Sequence, residues 1–331
     1  MNQTDYAAIQ KQFLQKIEDL ISKETSLVFE LSELLGISTD SVYRRMRAET
    51  MMTLDEIIKV CNHYNVSFDA FSKTESGMVT FRYSVPEPTF ESFLNYQLKI
   101  RDDMRKILAS ESGKIIYAAE DIPVFFHYGF DEISRFKIFY WLKSVASVPE
   151  LQTVQYNPNL ISNEILDVSK EIFDMYMNIP SVEIWTEMTV VSAVKQIEYF
   201  WESGFFAGPE DALRVCESLT EELTVILGMA EKSAKNGKEK ENYRLYCSDI
   251  EIANNCVLVE LGNHRAVYLG HLTFYTLSTS SETYGEKTAG WLDTLIRKST
   301  LISGVSEKQR LRFFKKAMDT VGELKKKIGG I

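Results

Sequence analysis

The chain has few of the residues that build metal and redox chemistry: four cysteines and four histidines in 331 residues. Cys61, Cys216, Cys247 and Cys256 form no C-x-x-C pair and no regular ladder, so neither a disulfide framework nor a zinc module is expected, only buried thiols. His63, His127, His264 and His271 are scattered. Only the last two fall near each other, on one expected strand, without a cysteine or carboxylate at ligand spacing, and no metal site is expected. A glycine-rich phosphate loop, a G-x-S-x-G elbow and an H-E-x-x-H pair are all missing, and no cysteine has a fitting histidine context. Glu183 and Glu187, four apart, are expected on one solvated helix face. The expectation is a chain with no cofactor and no enzymatic activity. No stretch approaches the roughly 18 consecutive apolar residues of a membrane span. The start, MNQTDYAAIQKQF, lacks the basic and apolar regions of a signal peptide, so the cytoplasm is the expected location and no membrane partner is expected. There is no fixed-period repeat and no low-complexity tract.

What is present is an ordinary globular composition, 45% hydrophobic and 25% charged. Single cores usually stop growing near about 250 to 300 residues, so two domains are expected. Ile9, Phe13, Ile17, Leu20 and Ile21 lie on one face of a first helix, from Thr4 to Lys23, with Thr4 or Asp5 as its cap. Leu31 to Leu35 reads as a second helix ended by Gly36, and Ser38 caps a third that runs to about Arg47. Thr53 and Glu56 form a capping box for a fourth, with Ile57, Ile58, Cys61 and Tyr64 inward and Asn65 closing it. Ser67 starts a short fifth over Phe68 and Phe71. The fold class predicted for residues 1–77 is an all-α five-helix bundle.

The stretch LSELLGISTDSVYRRMRAE, Leu31 to Glu49, occupies the second helix, the turn and the third helix. Gly36 supplies the left-handed turn, Ile37 buries behind it, and Leu31, Leu34, Leu35, Val42 and Met46 fix the angle between the helices. Thr39, Asp40, Tyr43, Arg44 and Arg47 are left on the outer face. Over about Phe29 to Phe71 the chain resembles the helix-turn-helix of Cro and phage-repressor-type bacterial regulators, especially the BetR-like variant, in which DSVYRR followed by a basic residue recurs. The resemblance implies a DNA-binding unit that reads base edges in the major groove. Carried over by position, Thr39, Asp40, Tyr43 and Arg44 are base-reading candidates, behind the Ser38 cap. Arg44 suits a two-pronged bond to guanine, and Tyr43 suits either a thymine methyl or a phosphate. Arg45 and Arg47 are phosphate candidates. Asp40 either accepts from a cytosine amino group or favours the helix N-terminus. Two departures stand out: Ala48 and Glu49 occupy positions where many relatives have glycine, and a glutamine common at the start of helix two is absent.

Charge sharpens this expectation. The chain carries 37 Lys and Arg against 47 Asp and Glu, a net charge of -10, and residues 1–75 alone hold eight basic against twelve acidic residues. Positive charge is focused on the third helix, where Arg44, Arg45 and Arg47 fall within four positions. Few phosphate contacts per subunit mean weak non-specific binding, so a homodimer on a two-fold symmetric site of double-stranded DNA is expected, with half-sites a helical turn or a multiple of it apart.

From residue 78 a second domain is expected. MVTFRYSV alternates as a strand with Val79, Phe81, Tyr83 and Val85 on one side. A helix follows from Phe90 to Ala109, then a strand KIIYAA, helices near 131–146, 159–178, 184–203 and 209–234, and a solvated loop KSAKNGKEKEN. Two β-rich runs, YRLYCSDIEIANNCVLVEL and AVYLGHLTFYTLS, are joined through a hairpin at Gly262 and Asn263. In the second run Val267 and Leu269 face one way and Leu272 and Phe274 the other, so both faces of the sheet are expected to be covered. Helices near 281–300 and 306–327 close the chain. The predicted class for residues 78–331 is α+β, antiparallel strands packed by helices, serving dimerisation and the sensing of an effector. The aromatic runs FFHYGF, FKIFYW and YFWESGFF line either a pocket for a small apolar ligand or the core. Phe93, Ile100, Met104 and Ile107 form either a dimer seam or a buried helix face. Two functions of different class follow: a transcription regulator responsive to a ligand or protein effector, and a protein-interaction adaptor that keeps the bundle as a docking module.

Overall fold

The computed structural model describes residues 3–20, 26–64, 66, 68, 78–83, 87–237, 241–271 and 275–330. By its internal contacts the chain divides into two compact units, Met1–Thr80 and Phe81–Ile331. Together the described residues form twelve α-helices and one mixed eight-stranded sheet.

The first unit contains α1 (Gln3–Leu20), α2 (Leu27–Leu35), α3 (Thr39–Met46) and α4 (Leu54–Tyr64). Its core is Phe13, Leu14 and Ile17 of α1, Leu27, Val28 and Leu31 of α2, Val42 of α3 and Val60 of α4, with Leu34, Leu35, Ile37 and Met46 packed around it. Thr4 and Asp5, expected as caps, fall inside α1, and Ile21 to Lys23 lie outside the described residues. On α4 the expected inward set changes by one position: Val60 is fully buried whereas Ile58 is 49% exposed. The reason is angular, since Ile57, Cys61 and Tyr64 share a stripe that Val60 completes and Ile58 leaves by about 100°. Phe68 packs edge-on against Phe13, ring centroids 5.3 Å apart. Asn65, expected to close the fourth helix, and the remainder of the expected fifth, with Ser67 and Phe71, lie outside the described residues.

The second unit runs β1 (Arg82–Tyr83), α5 (Phe90–Ala109), β2 (Lys114–Ala119), α6 (Val124–His127), α7 (Asp131–Tyr140), α8 (Asn163–Asn178), β3 (Ser181–Trp185), α9 (Glu187–Glu202), α10 (Pro209–Lys232), β4 (Tyr243–Cys247), β5 (Cys256–Leu261), β6 (His264–His271), β7 (Tyr275–Thr279), α11 (Glu282–Arg297), β8 (Thr300–Leu301) and α12 (Glu307–Gly329). The strand order is β1-β7-β6-β5-β2-β3-β4-β8.

The expected purely antiparallel sheet is corrected here. β2, β3 and β4 are parallel neighbours, and the other pairings are antiparallel. Parallel pairs need long crossovers, supplied by the helices between residues 120 and 180 and by α9 and α10. β3 is the strand that the reading of a helix from 184 concealed. Its one charged residue, Glu183, is fully buried and held by four donors: Tyr176 Oη at 2.5 Å, Trp185 Nε1 at 2.9 Å, Tyr243 Oη at 3.2 Å and Ser181 Oγ at 3.4 Å. Glu187 instead opens α9 and pairs with Lys316. The two glutamates share no helix face.

Alternation along β2 separates two cores. Ile116 and Ala118 join Ile184, Leu258, Val267, Leu292 and Leu295 beneath α11. Ile115, Tyr117 and Ala119 face the larger core built with α5 to α10 and α12. Both sheet faces are thus covered, although Leu272 and Phe274 lie outside the described residues. Gly262 takes the left-handed conformation (φ 61°) in the tight β5–β6 turn, as its hairpin role requires. Cys216 and Cys256 are buried, Cys61 and Cys247 half-buried, and none of the four is in a disulfide.

Candidate functional site

The helix pair of the first unit is fixed at its turn by several independent contacts. Gly36 closes α2 with φ 66° and ψ 34°, its N–H bonded to Ser32 O, a conformation that a side chain opposes. Ser32 Oγ donates to Ile37 O at 2.6 Å, and Ser38 Oγ accepts from Ser41 N–H at 3.3 Å as the α3 cap. The far end of α3 is held by Gln10, a buried polar residue of α1. Its amide donates to Arg45 O (2.7 Å) and Thr50 O (2.9 Å) and accepts from Met52 N–H (2.7 Å).

This frame sorts the candidate residues. Ser38, Asp40, Tyr43, Arg44 and Arg47 are exposed, and Thr39 is half-buried. The Arg44 and Arg47 side chains are 59% and 60% exposed, with Glu49 between them, 3.8 Å from Arg44 Nε and 3.1 Å from Arg47 Nε. Arg45 departs from its expected role as a phosphate contact. Its guanidinium, only 15% exposed, makes a two-pronged bond to Glu56 (2.6 and 2.9 Å) and donates to Ser41 O (3.1 Å). Glu56 also accepts from Thr53 N–H at 3.0 Å, one half of the expected capping box, while the Thr53 hydroxyl turns to Asp55. The hydrogen bonds from Arg45 hold the Glu56 carboxyl below the usual carboxylate range against the opposing effect of burial. Ala48 sits at φ 57° so that Glu49 N–H can reach Arg44 O at 2.8 Å and close the helix. Gln10, Ser32 and Glu56 were not among the expected site residues. A polar residue inside an apolar helical stripe, as Gln10 is, was the available signal.

A second feature lies wholly within the second unit. A cavity of about 410 Å³ opens between α5, β2 and the segment from residue 120 to α7, against β5 and β6. Its walls are aromatic: Phe93 and Tyr96 of α5 pack on Trp141, ring centroids 4.8 and 6.3 Å apart, while Tyr117 and Phe125 meet at 6.3 Å. Phe93, Met104 and Ile107 are buried, which excludes the dimer-seam reading of that helix face. Of the three aromatic runs, FFHYGF and FKIFYW each contribute to the cavity, through Phe125, Tyr128 and Trp141. Phe136, Phe200 and Phe206 form core instead, at centroid distances of 5.3 to 5.9 Å.

At the polar end of the cavity, Lys137 Nζ lies 2.7 Å from both Asp121 Oδ2 and Gln196 Oε1, and Gln196 Nε2 donates to Asp121 at 3.1 Å. Among the described residues no group of three His, Cys, Asp or Glu side chains has metal-binding geometry, and no helix is long and apolar enough to cross a membrane. No protein-family model, no curated protein and no solved structure matches the chain.

Proposed function

We propose that the chain is a sequence-specific DNA-binding transcription regulator, acting as a homodimer on a two-fold symmetric operator, with its second unit binding a small ligand. One observation carries this reading: a capped α3 whose inner face is locked by Val42 and by the Arg45–Glu56 pair presents Asp40, Tyr43, Arg44 and Arg47 together to solvent. Such a face fits a major groove, with Arg44 and Tyr43 positioned for base edges and Arg47 for phosphate. Arg45 serves as a positioning residue in this account. Two solvent-exposed arginines per subunit give four in a dimer, so the logarithm of affinity should fall with the logarithm of salt with a slope of only about -4.

Selection of genomic fragments by the purified chain at low salt tests the reading. Enrichment of a two-fold symmetric sequence by the wild type, lost in Arg44→Ala/Arg47→Ala, is the expected result. No enrichment over background refutes it.

A second reading, a protein-docking module, is favoured by one specific feature. Leu54 and Ile58, one turn apart on α4, are 73% and 49% exposed. On that reading Leu54→Ser/Ile58→Ser abolishes partner capture, and the arginine variant changes nothing.

A further inference from the structure

The cavity of the second unit has a composition that selects the charge of its occupant. Three carboxylates line it, those of Asp103, Glu120 and Asp121, against a single cation, Lys137. That cation is already committed to Asp121 and Gln196. Asp103 accepts from Tyr268 Oη (3.2 Å) and pairs with Lys106 (3.0 Å). Glu120 is the remainder: its carboxylate has no ion pair or hydrogen bond among the described residues, and partial burial and the neighbouring Asp121 disfavour its charge more than the field of Lys137 favours it. A further polar group is also unmatched. Tyr117 is 6% exposed and lines the cavity, and its hydroxyl has no hydrogen-bond partner among the described residues. Around these groups the walls are aromatic, and an aromatic face attracts a cation through its quadrupole. At about 410 Å³ the space is of the size that holds small organic molecules, whose sites run from about 300 to 1,000 Å³.

We infer that the cavity binds an organic cation, an amine carried on an aromatic or aliphatic body, with Glu120 facing the ammonium, the Tyr117 hydroxyl supplying a hydrogen bond and the Phe93, Tyr96 and Trp141 rings enclosing the apolar part. An anion of the same shape would meet an excess of carboxylates and a lysine already paired. A neutral molecule would forgo the ion pair that Glu120 can make with an ammonium. This inference deepens the reading of the second unit as a ligand sensor and rests on it.

The test uses the full chain and matched probes: 4-phenylbutylamine and tryptamine, with the alcohol and the carboxylate of each skeleton. Calorimetry at neutral pH should show an amine binding and both carboxylates silent. Glu120→Gln, at an exposed position and therefore tolerated by the fold, should weaken the amine about tenfold, the scale of one lost hydrogen bond to a charged group, and leave the alcohol unchanged. Tyr117→Phe should weaken amine and alcohol alike. Carboxylate binding equal to that of the amine, an equal loss for amine and alcohol in Glu120→Gln, or no binding of either amine each overturns the inference. Fragment selection with the same preparations reports separately on the regulator reading: a chain that binds amine and enriches no DNA keeps this assignment and loses the reading behind it.

Discussion

Replacing Glu56 by glutamine tests whether Arg45 belongs to the fold or to the proposed DNA-binding face. The carboxylate accepts three hydrogen bonds, two from Arg45 and one from Thr53 N–H, in a pair whose side chains are 15% and 10% exposed. Glutamine keeps the shape and one acceptor oxygen, loses one guanidinium bond and leaves a poorly solvated cation unpaired. At about 1.5 to 3 kcal/mol for a hydrogen bond to a charged group, the loss should be about 2 to 3 kcal/mol. Arg45→Gln should cost the same, because Glu56 then keeps only the Thr53 N–H. The double substitution should cost little more than either single one, a coupling of about 2 kcal/mol. Acid should erase the difference between wild type and Glu56→Gln. A carboxylate held below its usual range stabilises fully above the unfolded-chain value of about 4.3 and stops doing so as the pH falls through the depressed folded value, so the two proteins converge in that lower window. All four tryptophans, Trp141, Trp185, Trp201 and Trp291, lie in the second unit, so tryptophan fluorescence does not report on this one. Native-state hydrogen exchange of the α2 to α4 amides is the suitable assay. Arg45→Gln that leaves exchange unchanged and lowers the salt slope of DNA binding by about one would refute the structural assignment and restore Arg45 as a phosphate contact.

Three further outcomes follow from the same geometry. Ala48→Gly should stabilise the first unit by about 1 kcal/mol, because a left-handed backbone costs alanine roughly that much; faster exchange at α3 would contradict it. Glu49→Gln should release Arg44 and Arg47 and raise DNA affinity several-fold at low salt with a steeper salt slope, read by fluorescence anisotropy of a labelled operator, and an unchanged slope would count against the ion pairs. Phe200→Ala should destabilise the second unit by about 3 to 5 kcal/mol in urea unfolding followed by tryptophan fluorescence, since its ring is fully buried against Phe136, Tyr140 and Phe205 at 5.2 to 5.3 Å, and a loss below about 1 kcal/mol would show that this cluster is loosely packed.

Local signals carried the first unit furthest. Gly36, Ser38 and the apolar spacing of α2 and α3 act within a few residues, so the turn, its cap and the exposed face at Asp40, Tyr43, Arg44 and Arg47 were legible. The inward turn of Arg45 was not, because its partner is eleven residues away on another helix and the sequence shows three arginines of apparently equal standing. In the second unit the termini of α5 and the span of β2 match the sequence reading. β3 was hidden by a buried glutamate: alternation cannot reveal an inward Glu183 whose compensating donors, Tyr176 and Tyr243, arrive from α8 and β4. The parallel pairings were lost with it. The cavity was foreshadowed only as dense aromatics, which a core also requires, and its acidic wall assembles from α5 and the segment after β2.

The short strand β1 has a consequence in time. It pairs with β7, whose residues are made about 190 positions later in the chain, while every described element of the helical unit precedes residue 80. At the roughly 5 to 20 residues per second of synthesis, the helical unit can finish folding some 10 to 40 seconds before the segment that follows it has a sheet to join. For that interval a nascent chain carries a formed α3 and no completed sheet, so the exposed face of α3 and the cavity of the second unit arise separately.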